Sequence, residues 1–337
     1  VTRRVVVLGA GAWGTAFALV LADAGNEVAL WARRAELVEA MTVKRCNVDH
    51  LPGVELPEAV APTADAAAAL ADAELVFLAV PSQRLREHLV RWTPMLRPDS
   101  VLISLAKGVE LTTTYRMSQV IAEVTGAGPD RIAVVTGPNL AGEVAVRQPA
   151  AAVVACAELN VAGRVQEACH TEWFRAYTHT DVIGAELGGA IKNVIALAVG
   201  MAHGMGLGDN AKAALMTRGI AETSRLGVAL GADPYTFAGL AGLGDLIATC
   251  QSPLSRNRSF GERVGAGVPV DVLMADTRQV VEGVKTCEAI ADLAARHRVE
   301  MPIVTQVAAA IRDGVAPGVV LRTLMSRSAK HEREGIQ

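Results

Sequence analysis

Short apolar runs alternate with longer amphipathic stretches through the first half of the chain. The runs at 5–8, 28–31, 75–80, 101–105 and 132–135 are rich in Val, Ile and Leu and are apolar on both alternating faces. A strand reads this way when helices cover both sides of its sheet, so these runs predict a parallel sheet between two helix layers. Runs at 151–155 and 174–177 are candidates to extend it, and the alanine-rich 64–73 fits a helix leading into a strand. After about Asp181 the pattern changes. Helical periodicity takes over at 186–203, 210–230, 287–298, 303–312 and 318–325. Asp233 followed by Pro234 reads as a helix cap with proline in the first turn. The expected fold class is α/β, with a parallel-sheet domain over 1–183 followed by an all-α domain over 184–337.

Composition narrows the picture. A chain of 337 residues exceeds the ~250–300 residues at which single cores stop growing, which agrees with two domains. The formal net charge of −3 gives no general attraction to nucleic acid or to an acidic membrane, so neither is an expected partner. No apolar run read from the sequence reaches the ~20 residues of a membrane span. The first residues enter a strand at once, which reads as leaving no room for a signal peptide, and a cytoplasmic location is expected. The five cysteines, Cys46, Cys156, Cys169, Cys250 and Cys287, form no CxxC pair, and the seven histidines form no HxxxH pair. Neither a disulfide framework nor a metal site is expected.

The strongest local signal is the run from Val5 to Ala16, which contains Gly9, Gly11, Ala12, Trp13 and Gly14 as GAGAWG. It follows a buried strand and opens an apolar helix, the setting in which GxGxxG acts as a dinucleotide-binding turn. Gly9 permits the tight turn, Gly11 lets the backbone approach a pyrophosphate, and Gly14 allows helix and strand to pack closely. The helix-start N–H groups then face the anion. The first domain is therefore read as a Rossmann-type NAD(P)-binding domain. At the tip of the second strand the chain places Arg33 and Arg34 and no carboxylate. Two guanidiniums suit a ribose 2′-phosphate, so NADP(H) is the favoured cofactor, with NAD(H) as an accepted second. Solvated surface arginines are the plainer alternative.

Further blocks occur in a fixed order: Val80-Pro81-Ser82-Gln83, Ala106-Lys107-Gly108-Val109-Glu110, Thr136-Gly137-Pro138-Asn139-Leu140-Ala141, Leu187 to Asn193, Gly242 to Leu246, Ser255-Arg256-Asn257 and Val281-Glu282-Gly283. Together with the glycine turn, the whole chain resembles the bacterial NAD(P)-dependent glycerol-3-phosphate dehydrogenases. The resemblance implies reduction of dihydroxyacetone phosphate to sn-glycerol 3-phosphate, reversibly, as a source of glycerophospholipid backbone. It also implies a homodimer.

Such chemistry needs an acid for the new alkoxide and cations for a phosphate. Lys192 lies in an otherwise apolar helical run, where desolvation lowers an ammonium pKa toward neutrality, and the motif assigns it as acid/base. Snorkelling to solvent is its bland alternative. Asn193 stands beside it. By resemblance, Lys107 contacts substrate and cofactor, and Asp245 completes the polar network around Lys192. Thr249 is a further substrate contact. Ser255, Arg256 and Asn257, read as one short loop, bind the phosphate, with Arg256 also reaching the cofactor. Gly137, Asn139 and Ala141 form a second strand-to-turn junction for substrate and cofactor, although family members often carry Ser or Thr at the Asn139 position. Val280 and Glu282 resemble late cofactor contacts. Cys250 is read as a buried small residue and His203 as a packing or capping residue. Two other readings stay open. One is a β-hydroxyacid or ketopantoate-type dehydrogenase, which would not need Ser255-Arg256-Asn257. The other is a non-catalytic NADP(H) sensor, which would not need Lys107, Lys192 and Asp245 together.

Overall fold

In the computed structural model, which describes residues 3–276, 281–328 and 331, the chain divides into two units. One contains the chain up to Ala106 together with Met117–Val182; the other contains Lys107–Arg116 and everything from Ile183 onward. The ten-residue excursion at 107–116 was not visible as a domain exchange in the sequence pattern.

The first unit is built on eight strands: β1 (Arg4–Leu8), β2 (Glu27–Trp31), β3 (Val60–Thr63), β4 (Leu75–Leu78), β5 (Val101–Ser104), β6 (Ile132–Thr136), β7 (Ala150–Cys156) and β8 (Phe174–His179). Its helices are α1 (Ala12–Asp23), α2 (Ala35–Lys44), α3 (Ala66–Leu70), α4 (Leu85–Trp92), α5 (Met117–Thr125), α6 (Ala141–Ala145) and α7 (Leu159–Cys169). Sheet order is β3-β2-β1-β4-β5-β6-β7-β8. Side chains alternate faces along each strand, and the core divides accordingly. Val5 and Val7 pack with Phe17, Leu30 and Phe77 on one face; Val6 and Leu8 pack with Trp31, Val76 and Leu78 on the other. The scarce aromatics are concentrated here, with Phe17 touching Phe77 and Phe174 at ring-centroid separations of 5.3 and 6.0 Å.

Two expectations are corrected. The sheet is not wholly parallel: β7 runs antiparallel to β6 before β8 resumes parallel to β7. Apolar runs report burial but not direction, so the reversal leaves no trace in the pattern. The edge strand β3 was missed because Pro62 interrupts it, and proline is tolerated in a strand chiefly at an edge.

The second unit is helical among its described residues. It contains α8 (Val182–Gly204), α9 (Asp209–Ala229), α10 (Asp245–Gln251), α11 (Arg256–Gly265), α12 (Val270–Asp276), α13 (Glu282–Arg296), α14 (Pro302–Arg312) and α15 (Pro317–Met325). Asp233 does cap the short 3₁₀ turn Pro234–Ala238, accepting from the Tyr235 N–H at 2.9 Å. α8 is long and apolar enough to cross a membrane by length and composition, but 89% of its most apolar window is buried inside the protein, making it the axis of this unit's core. It packs on α11 backbone to backbone. A Cβ on Gly200 or Gly204 of α8 would fall 2.1 or 2.0 Å from the carbonyl oxygens of Arg258 and Glu262. The reciprocal positions on α11, Gly261 and Gly265, sit equally tightly on Leu197 and Met201.

Candidate active site

In the first unit the glycine turn has the predicted form. Gly9 adopts φ +129°, and a Cβ there would meet the Ala79 carbonyl oxygen at 2.7 Å. Gly11 caps α1 in extended conformation, and the space where its Cβ would stand is open, as a ligand approaching the backbone requires. Asn47, fully buried, braces the turn by donating to the Ala10 carbonyl at 2.9 Å and the Thr15 hydroxyl at 2.8 Å. Sequence reasoning did not find Asn47, which is an unremarked amide more than thirty positions from its partners. Trp13 Nε1 and Asn139 Oδ1 are buried without a hydrogen-bond partner in the protein. Buried polar atoms are rarely left so, and a polar ligand is one way to satisfy them.

The two arginines after β2 differ. Both are exposed, but Arg34 precedes α2 and pairs with Asp49, holding that carboxyl below the usual carboxylate range. At the second junction Gly137 has φ +139°, Asn139 donates its amide to the Ala151 carbonyl at 3.0 Å, and Ala141 opens α6. Part of Asn139 therefore serves to tie this turn to β7.

The second unit brings Lys107, Lys192, Asp245 and Thr249 together. Lys192 projects from α8 and is only 7% exposed, so the snorkelling alternative is excluded. Its Nζ donates to Asp245 Oδ1 and, at 2.7 Å, to the Thr249 hydroxyl. Lys107 Nζ donates to the other Asp245 oxygen at 2.6 Å. One carboxylate thus bridges two ammonium groups. Burial pulls the Lys192 pKa down to about 8, with Lys107 adding to the depression and Asp245 opposing it.

Local structure explains the convergence. Asp245 opens α10, and Thr249 stands one turn later on the same face. A π-helical turn, Leu240–Gly244, leads directly into α10. Such turns concentrate at functional sites, where the extra residue re-aims the side chains of the next helical turn. α8 reaches this turn through Gly188, whose Cβ would lie 2.4 Å from the Ala241 carbonyl oxygen.

The Ser255-Arg256-Asn257 stretch is no loop but the start of α11. Ser255 is its N-cap, its hydroxyl accepting from the Arg258 N–H at 3.2 Å. Asn257 donates to Asn193 Oδ1 at 2.9 Å and accepts from the Gly283 N–H at 3.0 Å, which ties α8, α11 and α13 together. Of the three, Arg256 is the exposed side chain. Glu282 opens α13; burial pushes its carboxyl up, against the pull of Arg256, Lys107 and Lys192. Val280 lies outside the described residues. The Cys250 thiol is 2% exposed and pushed up to about 12 by burial, which leaves it unsuited to nucleophilic work. His203, near the end of α8, faces Glu262 at 3.4 Å. Among the described residues no group of three His, Cys, Asp or Glu side chains is disposed to hold a metal.

This arrangement can move a proton at a buried amine whose charge is balanced by a shared carboxylate. Comparison with known proteins identifies the family. A family model for the N-terminus of NAD-dependent glycerol-3-phosphate dehydrogenase matches residues 4–162, and the model for its C-terminus matches residues 181–322. The glycerol-3-phosphate dehydrogenase, NAD(P)+, of Streptomyces coelicolor is 62% identical over 330 residues, covering 98% of both chains. The crystal structure of glycerol-3-phosphate dehydrogenase from Coxiella burnetii matches with a TM-score of 0.92 at 36% identity, over 97% of this chain and 99% of that one. A ketopantoate reductase from Ralstonia eutropha matches at 0.61 and 17% identity, over 94% of this chain and 99% of that one, a likeness of fold alone. On the strength of both family models and of relatives alike from end to end, the chain belongs to the NAD-dependent glycerol-3-phosphate dehydrogenase family.

Proposed function

We propose that the protein is an NAD(P)-dependent glycerol-3-phosphate dehydrogenase that reduces dihydroxyacetone phosphate to sn-glycerol 3-phosphate and catalyses the reverse oxidation. The observation that carries this reading is Lys192, a buried amine with a pKa near 8 joined through Asp245 to Lys107. A reduced nicotinamide, when bound, supplies the hydride. Gly11 at the start of α1, with Ala12 and the unpaired Trp13 Nε1, fits the binding of such a dinucleotide, as does Asn139 Oδ1. Ala141, Glu282 and Arg256 are further cofactor contacts in this reading.

The chain's own part in the reaction is the proton. In reduction, Lys192 Nζ gives its proton to the oxygen on C2 of the substrate; in oxidation, the neutral amine takes it back. The Lys107 ammonium favours negative charge developing on that oxygen. Asp245 holds both amines in place throughout, and Thr249 fixes the Lys192 rotamer. Arg256 grips the phosphate by charge-assisted hydrogen bonds. Asn193, Ser255 and Asn257 are further substrate contacts in this reading, and Gly137 shapes the turn after β6.

Two assays test the specificity. Purified protein should oxidise NADPH rapidly with dihydroxyacetone phosphate and poorly with unphosphorylated dihydroxyacetone; Arg256→Ala should erase most of that difference. Equal rates on the two ketones would contradict a phosphate site and favour a hydroxyacid-type dehydrogenase, whose fold this chain shares. For the cofactor, neutral replacements of Arg33 and Arg34 should weaken NADPH binding more than NADH binding, with Arg33 contributing more because Arg34 already pairs with Asp49. Equal weakening would mean that neither reads a 2′-phosphate.

A further inference from the structure

The segment Lys107–Arg116 groups with the helical unit although the strand before it and the helix after it belong to the sheet unit. It is tied internally as a small hairpin. Val109 and Arg116 form an antiparallel bridge. The Glu110 N–H donates to the Tyr115 carbonyl at 2.9 Å, and the Thr114 N–H donates to the Glu110 carbonyl at the same distance. The Thr113 hydroxyl donates to the Glu110 carboxylate at 2.6 Å. Thr114 takes φ +60°, a left-handed conformation that a β-branched residue adopts only when its surroundings impose it.

Contacts along its length fasten the hairpin to the helices. Val109 is fully buried in the helical core. Arg116 donates to Glu186 of α8, in a pair whose side chains are 14% and 4% exposed. Arg296, the last residue of α13, donates to the Thr113 carbonyl at 3.2 Å and the Thr114 hydroxyl at 3.0 Å. Those are the helices that carry Lys192 and Glu282. Glu186 lies six residues before Lys192, about 9 Å along α8 at the usual helical rise. The hairpin's other end is Lys107, at the Asp245 carboxylate.

We propose that residues 107–116 are a strap that sets the position of Lys107, and that Arg116, acting through Glu186 with Arg296 as a second anchor, is a positioning residue for the catalytic ammonium. The inference rests on the reaction proposed above. A free lysine stem must give up rotamer freedom to hold one geometry. A strap clamped to the helix that bears Lys192 fixes the lysine's backbone relative to its partner. An ion pair this deeply buried contributes little net stability, so specificity of geometry is the better account of its presence.

The test is a double-mutant cycle read by activity and pH. Among the described residues, the titratable groups facing Lys192 are Asp245 and Cys250 of α10, Lys107 of the strap and Glu282 of α13. Arg116→Met should lower kcat with NADPH and dihydroxyacetone phosphate by ~10- to 100-fold, the range a misplaced group of about 1 Å produces. KM should change little. The pH midpoint of reduction should move upward, because Lys107 no longer helps depress Lys192. Arg116→Lys should restore part of kcat. In a Lys107→Met background Arg116→Met should have almost no further effect, since both act through one amine. Arg296→Ala, at an exposed site, repeats the test in smaller measure should Arg116→Met fail to fold. An Arg116→Met effect of equal size with and without Lys107, or an unmoved pH midpoint, would overturn the strap. Wild-type inactivity on dihydroxyacetone phosphate would instead overturn the proposed reaction.

Discussion

Lys192→Ala should retain NADPH binding and lose at least ~100-fold in turnover, the usual contribution of a placed acid or base. The fold should survive. Removing one ammonium from a cluster of two cations and one carboxylate leaves Asp245 still paired with Lys107 at 2.6 Å, so no lone buried charge is created. Lys192→Arg should be nearly as inactive as the alanine variant. A guanidinium keeps its proton throughout the working range and cannot accept one from the substrate in oxidation. The measurement is steady-state turnover in both directions beside a fluorescence titration with NADPH. Unchanged turnover would remove Lys192 from the mechanism, and lost NADPH binding would reassign it to the cofactor.

The second large effect is on stability. Gly261→Val should destabilise the protein by about 3 kcal/mol, the upper end of the usual cost of overpacking, and lower activity with it. Its Cβ would stand 2.2 Å from the Leu197 carbonyl oxygen, and backbone, unlike a flexible side chain, cannot swing aside. α11 would have to lift from α8. The first turn of α11 carries Arg256 and Asn257, so the Asn257–Asn193 bond and the Arg256 side chain would move with it. Gly163→Ala is the control. A Cβ on that α7 glycine meets nothing within 4 Å, and alanine's better helix propensity should leave stability equal or raised by up to ~1 kcal/mol. Thermal or denaturant unfolding of the two variants checks both expectations. Equal stability of Gly261→Val and wild type would contradict the backbone-to-backbone packing of α8 on α11.

The features legible in the sequence were those whose cause is local. Gly9, Gly11 and Gly14 announce the cofactor turn because strand, turn and helix are directly consecutive. Lys192 stands out because, Asn193 apart, its neighbours in that helical run are apolar or small. The start of α11 was misread as a loop because the same hydroxyl and amide that can bind phosphate can also cap a helix or bridge two others, and nothing local in Ser255-Arg256-Asn257 shows that they do. The π-helical turn before Asp245 escaped notice because its long hydrogen bonds leave no periodic signature in five residues. Arg116 and Glu186 are separated by seventy positions, so their pairing becomes visible only when α8 and the 107–116 hairpin are seen together. The reversal at β7 and the proline-bearing edge β3 belong to the same class, since both depend on neighbours distant in sequence.

The central claim is that one amine gives up its proton in one direction of the reaction and recovers it in the other. Measuring kcat/KM against pH in both directions on the wild-type protein tests this directly. Lys192 must be protonated for reduction and neutral for oxidation, so reduction should fall and oxidation should rise as pH passes about 8. Curves that move together across that range, or midpoints that persist when Lys192 is replaced, would contradict the account.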